Sequence, residues 1–212
     1  MKITLFGATG KTGSYLVDEA IRRDHDVTVF ARTGTEYEDV RVRIVRGDLY
    51  DKSVLQEAIQ GSSAVLSALG PTRMDHPKNI PITRALQCVV EAMTSEQVDR
   101  LIAISTGSAD ADPDATFALG VWLPKVIIER VMANQYKDLV GLERVLRNSG
   151  LAWTTVRAAV LTDRPAKRRL NIGAYGRTKH SMTLSRADLA IFMFDQLESD
   201  ALVHQAPGVS SN

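Results

Sequence analysis

The sequence predicts an α/β fold: a doubly wound parallel sheet flanked by helices, with a small irregular lobe after the sixth strand. Three observations lead there. First, a short apolar run, Ile3-Thr4-Leu5-Phe6, meets Gly7-Ala8-Thr9-Gly10-Lys11-Thr12-Gly13 and then helix-like Ser14-Tyr15-Leu16-Val17, which reads as strand, glycine turn, helix. Second, near-continuous apolar runs recur down the chain between stretches of helical periodicity, as buried parallel strands do. Third, 212 residues that are 44% hydrophobic and carry a formal net charge of +1 suit one domain with a substantial core.

The same composition argues against disorder, a membrane span and a nucleic-acid surface. The N-terminus goes straight into the first strand, which is expected to leave no room for a signal or transit peptide, and the single Cys88 excludes an intramolecular disulfide. A reducing cytoplasm is the expected setting. One cysteine and four scattered histidines (His25, His76, His180, His204) give no metal-ligand spacing, so no structural metal is predicted.

In the opening turn, Gly7 and Gly10 let the backbone bend sharply and approach a pyrophosphate, while Gly13 lets the helix pack close to the strand. The helix N-terminus adds N–H donors and the positive end of its dipole. In this strand–turn–helix context the pattern is a Rossmann-like dinucleotide fingerprint, with Gly7, Thr9, Gly10, Lys11, Thr12 and Gly13 as cofactor contacts. The first helix runs to about Arg23. Val27 to Ala31 forms the second strand, ending at Arg32, where an acid would select the free 2′-hydroxyl of NAD and an arginine suits the 2′-phosphate of NADP. No Asp or Glu stands at the end of this strand before Glu36, so Arg32, helped by Lys11, argues for NADP, with NADPH preferred over NADH.

Val42 to Val45 is the third strand, leading into Gly47-Asp48-Leu49. Asp48 either accepts from the adenine amino group, with Leu49 on the ring, or caps the helix that begins near Asp51. Ala64 to Gly70 carries the fourth strand, and Leu69 and Gly70 at its carboxyl end should border the cofactor. Pro81 opens a helix running to about Met93. Val98 to Ile104 is the fifth strand, ending in Ser105-Thr106-Gly107-Ser108, whose hydroxyls point into the crevice. The acidic loop with Asp110, Asp112 and Asp114 lacks a calcium-ligand pattern and is assigned no chemistry. A helical pattern extends from about Leu119 to Asn148, broken near Pro124, and Gly150 ends it. Ala152 to Arg157 is the sixth strand. Beyond it, 158–183 reads as a long irregular substrate-side loop, rich in Arg, Lys and Gly. Ser185-Arg186-Ala187-Asp188 resembles a capping box for a helix from Leu189 to Leu197, and Ala201 to Gln205 reads as a last strand.

The ordered set GATGKTG, Arg32 after the second strand, GDL, SALG, AIST, VLRNSGLAWTTVR and SRADLA resembles the atypical short-chain dehydrogenase/reductases over nearly the whole chain. Within them it is most similar to the NAD(P)H-binding group that includes biliverdin reductase B (flavin reductase) and the nitrogen-metabolite-regulator-like proteins. The resemblance implies the fold and an NADP site; it does not imply the substrate. The superfamily's Tyr-x-x-x-Lys pair, in which the ammonium lowers the phenol pKa, has no helical counterpart: Tyr136 is followed four residues on by Val140. The literal match Tyr175-Gly176-Arg177-Thr178-Lys179 spans a glycine beyond the sixth strand and reads as coincidence. In flavin-reductase relatives a serine at the end of the fifth strand lies near the nicotinamide, matched here by Thr106, and a histidine follows the sixth strand, matched here by Val160.

Candidate catalytic residues are therefore Thr106, Ser105 and Tyr136, and candidate acceptor contacts are Arg73, Val160, Arg164 and Lys167. The expected function is reduction of a planar small-molecule acceptor (flavin, quinone or tetrapyrrole) by NADPH in a monomer or homodimer. The alternatives are a non-catalytic NADP-binding redox sensor and a sugar epimerase or dehydratase. The basic run Arg164-Pro165-Ala166-Lys167-Arg168-Arg169 reads either as a mobile rim attracting anionic acceptors or as a solvated loop.

Overall fold

Strand β1 (Lys2–Phe6) turns Ile3 and Leu5 to one face and Thr4 and Phe6 to the other, and all four are buried, so both faces of the sheet are covered here. The computed structural model describes residues 1–71, 75–107 and 132–212. Arg73, the acidic loop and the Leu119–Pro124 start of the long helical pattern lie outside the described residues. Around β1 run β2 (Asp26–Arg32), β3 (Arg43–Gly47), β4 (Ala64–Ser67), β5 (Arg100–Thr106) and β6 (Ala152–Ala158), all parallel. Their spatial order is β3-β2-β1-β4-β5-β6, which reverses direction between β1 and β4. That reversal opens a crevice beyond the carboxyl ends of the strands.

The helices among the described residues are α1 (Lys11–Arg22), α2 (Lys52–Ile59), α3 (Pro81–Ser95), α4 (Ala133–Arg147) and α5 (Arg186–Asp195). Leu16, Val17 and Ala20 of α1 and Leu189, Ala190 and Met193 of α5 pack on Ile3, Leu5, Val29, Leu66 and Ile102. On the opposite face Leu55, Ile59, Leu86, Val89, Met93, Leu142 and Leu146 pack on Phe6, Phe30, Val65 and Leu101. The buried Thr4 hydroxyl reaches the Ala58 carbonyl at 2.7 Å, so a polar residue at the sheet centre stays bonded. Arg23 joins α1 to α5 through Glu19 (2.7 Å) and Asp195 (2.6 Å). Burial alone would raise the Glu19 carboxyl, but the bonds from Arg22 and Arg23 outweigh it and hold the group below its usual range. Among the described residues no helix is long and apolar enough to cross a membrane.

The structure differs from the sequence expectation at the C-terminal end of the sheet. Ala201 to His204 forms turns, with His204 in the left-handed region (φ 59°), and Gln205 makes only an isolated bridge to Thr154. The last strand is β10 (Gly208–Ser211), parallel to β6. Its apolar signal is weak because Ser210 is buried and its hydroxyl is satisfied by the Ser181 N–H (3.0 Å) and the His180 ring (3.1 Å). Nor is 158–183 irregular throughout. It contains β7 (Val160–Thr162) and β8 (Leu170–Gly173); β8 pairs antiparallel with β10, and β7 pairs in parallel with β9 (Thr183–Ser185). Helix α5 stops at Asp195, short of Leu197.

Candidate functional site

The turn after β1 is held in one shape by its glycines. Gly7 has φ 80°, and a Cβ there would lie 2.7 Å from the Ala68 carbonyl, so a side chain would push β1 and β4 apart. A Cβ on Gly13 would collide with the Gly7 carbonyl oxygen and Ala8, so the first turn of α1 rests directly on the glycine turn. Gly10 donates to the Gly7 carbonyl (3.1 Å), and Ser14 makes the first helical bond, to the Gly10 carbonyl (3.2 Å). No side chain caps α1. The N–H groups of Lys11, Thr12 and Gly13 are thus without partners among the described residues, at the positive end of the helix dipole. The arrangement fits the pyrophosphate of a dinucleotide.

Two cavities flank this turn and share Gly7, Gly10, Ala68, Leu69, Gly70 and Pro71. One, of about 590 Å³, also borders Thr9, Phe30, Arg32, Thr33, Asp48, Leu49 and Tyr50. Arg32 is exposed at the end of β2 and has no acidic partner among the described residues, leaving its guanidinium available to a phosphate. Of the two roles open to Asp48, capping belongs to Asp51, which accepts from the N–H groups of Ser53 (3.0 Å) and Val54 (3.4 Å). The Ser53 hydroxyl and those N–H groups hold the Asp51 carboxyl below its usual range. Asp48 instead accepts from the Tyr50 N–H (2.9 Å) and lines the cavity beside Leu49.

The far wall of this cavity contains His76, Pro77, Pro81 and Ile82, and Asp138 on α4 secures it. Ile80, preceding α3, is left-handed (φ 46°) and offers no side-chain cap. The fully buried Asp138 carboxylate takes over that role, accepting from the N–H groups of Ile82 (3.0 Å) and Thr83 (2.7 Å), and it pairs with His76 Nε2 (2.7 Å). The Thr83 hydroxyl lies 2.7 Å from both Oδ1 and the Asp138 carbonyl. Burial pushes this carboxyl up, yet the bonds from Thr83, His76 and Ile82 bring it below its usual range. The sequence reading singled out neither Asp138 nor the part His76 plays. Their only signal was a pair of polar residues at positions that pack inward.

The other cavity, of about 500 Å³, adds Lys11, Thr12, Gly13, Ile104, Ser105, Thr106, Leu139, Ala158, Ala159, Leu161 and Arg186. Ser105 and Thr106 stand where the sequence puts them, at the end of β5. The Ser105 hydroxyl is buried and has no partner. Half-buried Tyr136 sits one turn before Leu139 on α4, and Leu139 rather than Tyr136 lines the cavity. Val160 is 63% exposed; its neighbours Ala159 and Leu161 face inward.

Arg164 and Lys167 do not border either cavity. The Arg164 carbonyl accepts from Ser185 Oγ (2.7 Å), and the N–H groups of Lys167 (3.1 Å) and Arg168 (2.8 Å) bond the buried Asp188 carboxylate. The basic run is therefore tied by its backbone rather than a free rim. The same bonds alter the expected capping box: Ser185 Oγ accepts from the Asp188 N–H (3.3 Å), but Asp188 turns to the basic run, and the Ser185 N–H goes to Ser211 Oγ (3.1 Å). Arg186, read from sequence only as the second residue of that box, lines the cavity. Tyr175 lies in a turn with Gly176 at φ 77°, its hydroxyl bonded to the Arg157 carbonyl (3.1 Å), and Lys179 is exposed, which is not the geometry of a catalytic helix pair.

Fold, glycine turn and crevice together define an NAD(P)H-binding domain with a Rossmann-like α/β fold. The chain belongs to the NAD(P)H-binding family, whose model matches residues 7–200. It is similar to the uncharacterized protein YwnB of Bacillus subtilis, 27% identical over 208 residues that cover 93% of this chain and 92% of that protein. Among solved structures it resembles a short-chain dehydrogenase/reductase from Veillonella parvula in complex with NADP (TM-score 0.79, 20% identity, 99% of this chain and 94% of that one). It also resembles ChuY, an anaerobillin reductase from Escherichia coli O157:H7 (TM-score 0.77, 18% identity, 100% of this chain and 97% of that one).

Proposed function

We propose that the protein is an NADPH-dependent reductase of a planar acceptor, a flavin, quinone or tetrapyrrole, working in a reducing cytoplasm. The observation that carries the reading is the run of the crevice: at one end an arginine and in the middle N–H groups that have no partners among the described residues, and at the other end an apolar wall of Ile104, Leu139, Ala158, Ala159 and Leu161. Arg32 would take the 2′-phosphate, Asp48 and Leu49 the adenine, and the N–H groups of Lys11, Thr12 and Gly13 the pyrophosphate. Bound there, NADPH supplies the hydride.

The chain's own part is to place an acceptor ring against that wall, exclude water, and offer Ser105 and Thr106 as hydroxyl donors at the reacting end. A flat conjugated acceptor needs close stacking more than a strong acid, which suits a cavity with no tyrosine–lysine pair among its described lining residues. The similarity to ChuY, described as an anaerobillin reductase, supports a reductase reading.

Following NADPH and NADH oxidation at 340 nm with FMN, riboflavin, menadione and biliverdin tests the reading. Turnover with at least one acceptor, faster with NADPH, is expected. Tight NADP+ binding with no acceptor-dependent oxidation would instead make the protein a redox sensor.

A further inference from the structure

The Arg186 guanidinium is the cationic group of the acceptor-side cavity that the pyrophosphate cradle does not use. It stands at the start of α5 among Ala158, Ala159 and Leu161, and no carboxylate is found among the cavity's described lining residues. Among the described residues a single bond anchors it, from Nη1 to Asp163 Oδ1 at 2.6 Å. Asp163 is 59% exposed, whereas the arginine side chain is 15% exposed, so water screens the acid far better than the base. Nε is buried and has no partner. Nε and Nη2 form the edge of a guanidinium that grips carboxylates and phosphates with two parallel bonds, and the anchor on Nη1 leaves that edge unused.

Resting on the reductase reading above, we propose that Arg186 is the specificity-determining anchor of the acceptor, gripping a carboxylate or phosphate that the planar substrate carries on its periphery. The Asp163 bond fixes the plane of the guanidinium in the cavity wall, so an anion that reaches the buried Nε and Nη2 meets a donor pair already oriented. The basic run Lys167 to Arg169 lies outside the cavity and serves no such purpose. An uncharged flavin makes the same ring contacts but leaves the Nε/Nη2 edge empty.

Binding tests this without depending on turnover. FMN and riboflavin are titrated, by quenching of flavin fluorescence, into the NADP+-loaded wild type, Arg186→Gln, Arg186→Lys and a triple variant with Lys167, Arg168 and Arg169 changed to Ala. The wild type should bind FMN tighter than riboflavin. Arg186→Gln should weaken FMN by about 10- to 100-fold, the loss expected of a two-bond charged contact, and change riboflavin and NADP+ less than about threefold. Arg186→Lys, which keeps the charge without the fork, should fall between, and the triple variant should discriminate as the wild type does.

A wild type that binds the two flavins equally, equal losses for both in Arg186→Gln, a loss confined to NADP+, or discrimination erased only by the triple variant would each overturn the proposal. Flavin discrimination without turnover would count against the reductase reading while leaving the anchor standing.

Discussion

Replacing Asp138 with Ala should unseat the N-terminus of α3. The carboxylate accepts from Ile82 N–H (3.0 Å), Thr83 N–H (2.7 Å), the Thr83 hydroxyl (2.7 Å) and His76 Nε2 (2.7 Å), and it is fully buried. Hydrogen bonds to a charged group are worth about 1.5–3 kcal/mol each, and a buried donor left without one costs about 1–3 kcal/mol. These terms are not additive, and Thr83 can turn toward the Asp138 carbonyl, so the expected loss is about 3–5 kcal/mol. Each kcal/mol moves the melting temperature of a domain this size by about 2–4 °C. Asp138→Asn, which keeps one acceptor oxygen but turns an amide N–H toward donors, should cost about as much. Urea unfolding followed by circular dichroism measures both. Because the folded carboxyl sits below its unfolded value, its contribution is complete above about pH 4 and is lost as the pH falls through the folded value. The gap between wild type and Asp138→Asn should accordingly close in acid. NADP+ affinity should fall with stability, since His76 and Ile82 line the first cavity. A loss under about 1 kcal/mol at pH 7, or a gap that does not shrink in acid, would refute the account.

Changing Arg32 to Asp should weaken NADPH relative to NADH by about one to two decades, since a charged contact worth about 1.5–3 kcal/mol becomes a repulsion; equal losses for the two cofactors, by fluorescence titration, would sink the assignment. Tyr175→Phe removes the 3.1 Å bond to the Arg157 carbonyl and should cost about 0.5–1.5 kcal/mol while leaving most turnover intact. A rate loss beyond about 100-fold would mean that Tyr175 is a general acid after all. Gly13→Ala places a methyl against the Gly7 carbonyl, so NADP+ binding should be lost or the protein unfolded; wild-type affinity and melting temperature would contradict that packing.

The six parallel strands and the glycine turn were readable because their signals are local: apolar runs of strand length, glycines at fixed spacing, a proline at a helix start. Asp48 was legible only as one of two options, since Asp48 and Asp51 are both well placed to cap and the choice depends on loop geometry. The C-terminal third was read less well for a physical reason. Strand β10 is held by hydroxyls of Ser210 and Ser211 rather than by an apolar pattern, and the basic run is ordered by Asp188, about twenty residues away in the chain. Arg186 was missed because a residue at the start of a capped helix ordinarily faces solvent. Here the short β7–β9 pair and the end of β6 close around that position.

The placement of β10 constrains the order in which the molecule assembles. Among the described residues β8 pairs in the sheet with β10 alone, and β10 reaches the parallel strands through β6. The six strands from β1 to β6 can pair as they are synthesised, each next to a strand already made or soon to follow. The antiparallel edge must wait for Gly208–Ser211, the one strand among the described residues with which Leu170–Gly173 pairs. A nascent chain is therefore expected to pair β1 to β6 first and to hold the β6 edge open until Gly208–Ser211 is made, an interval in which an unpaired edge favours aggregation.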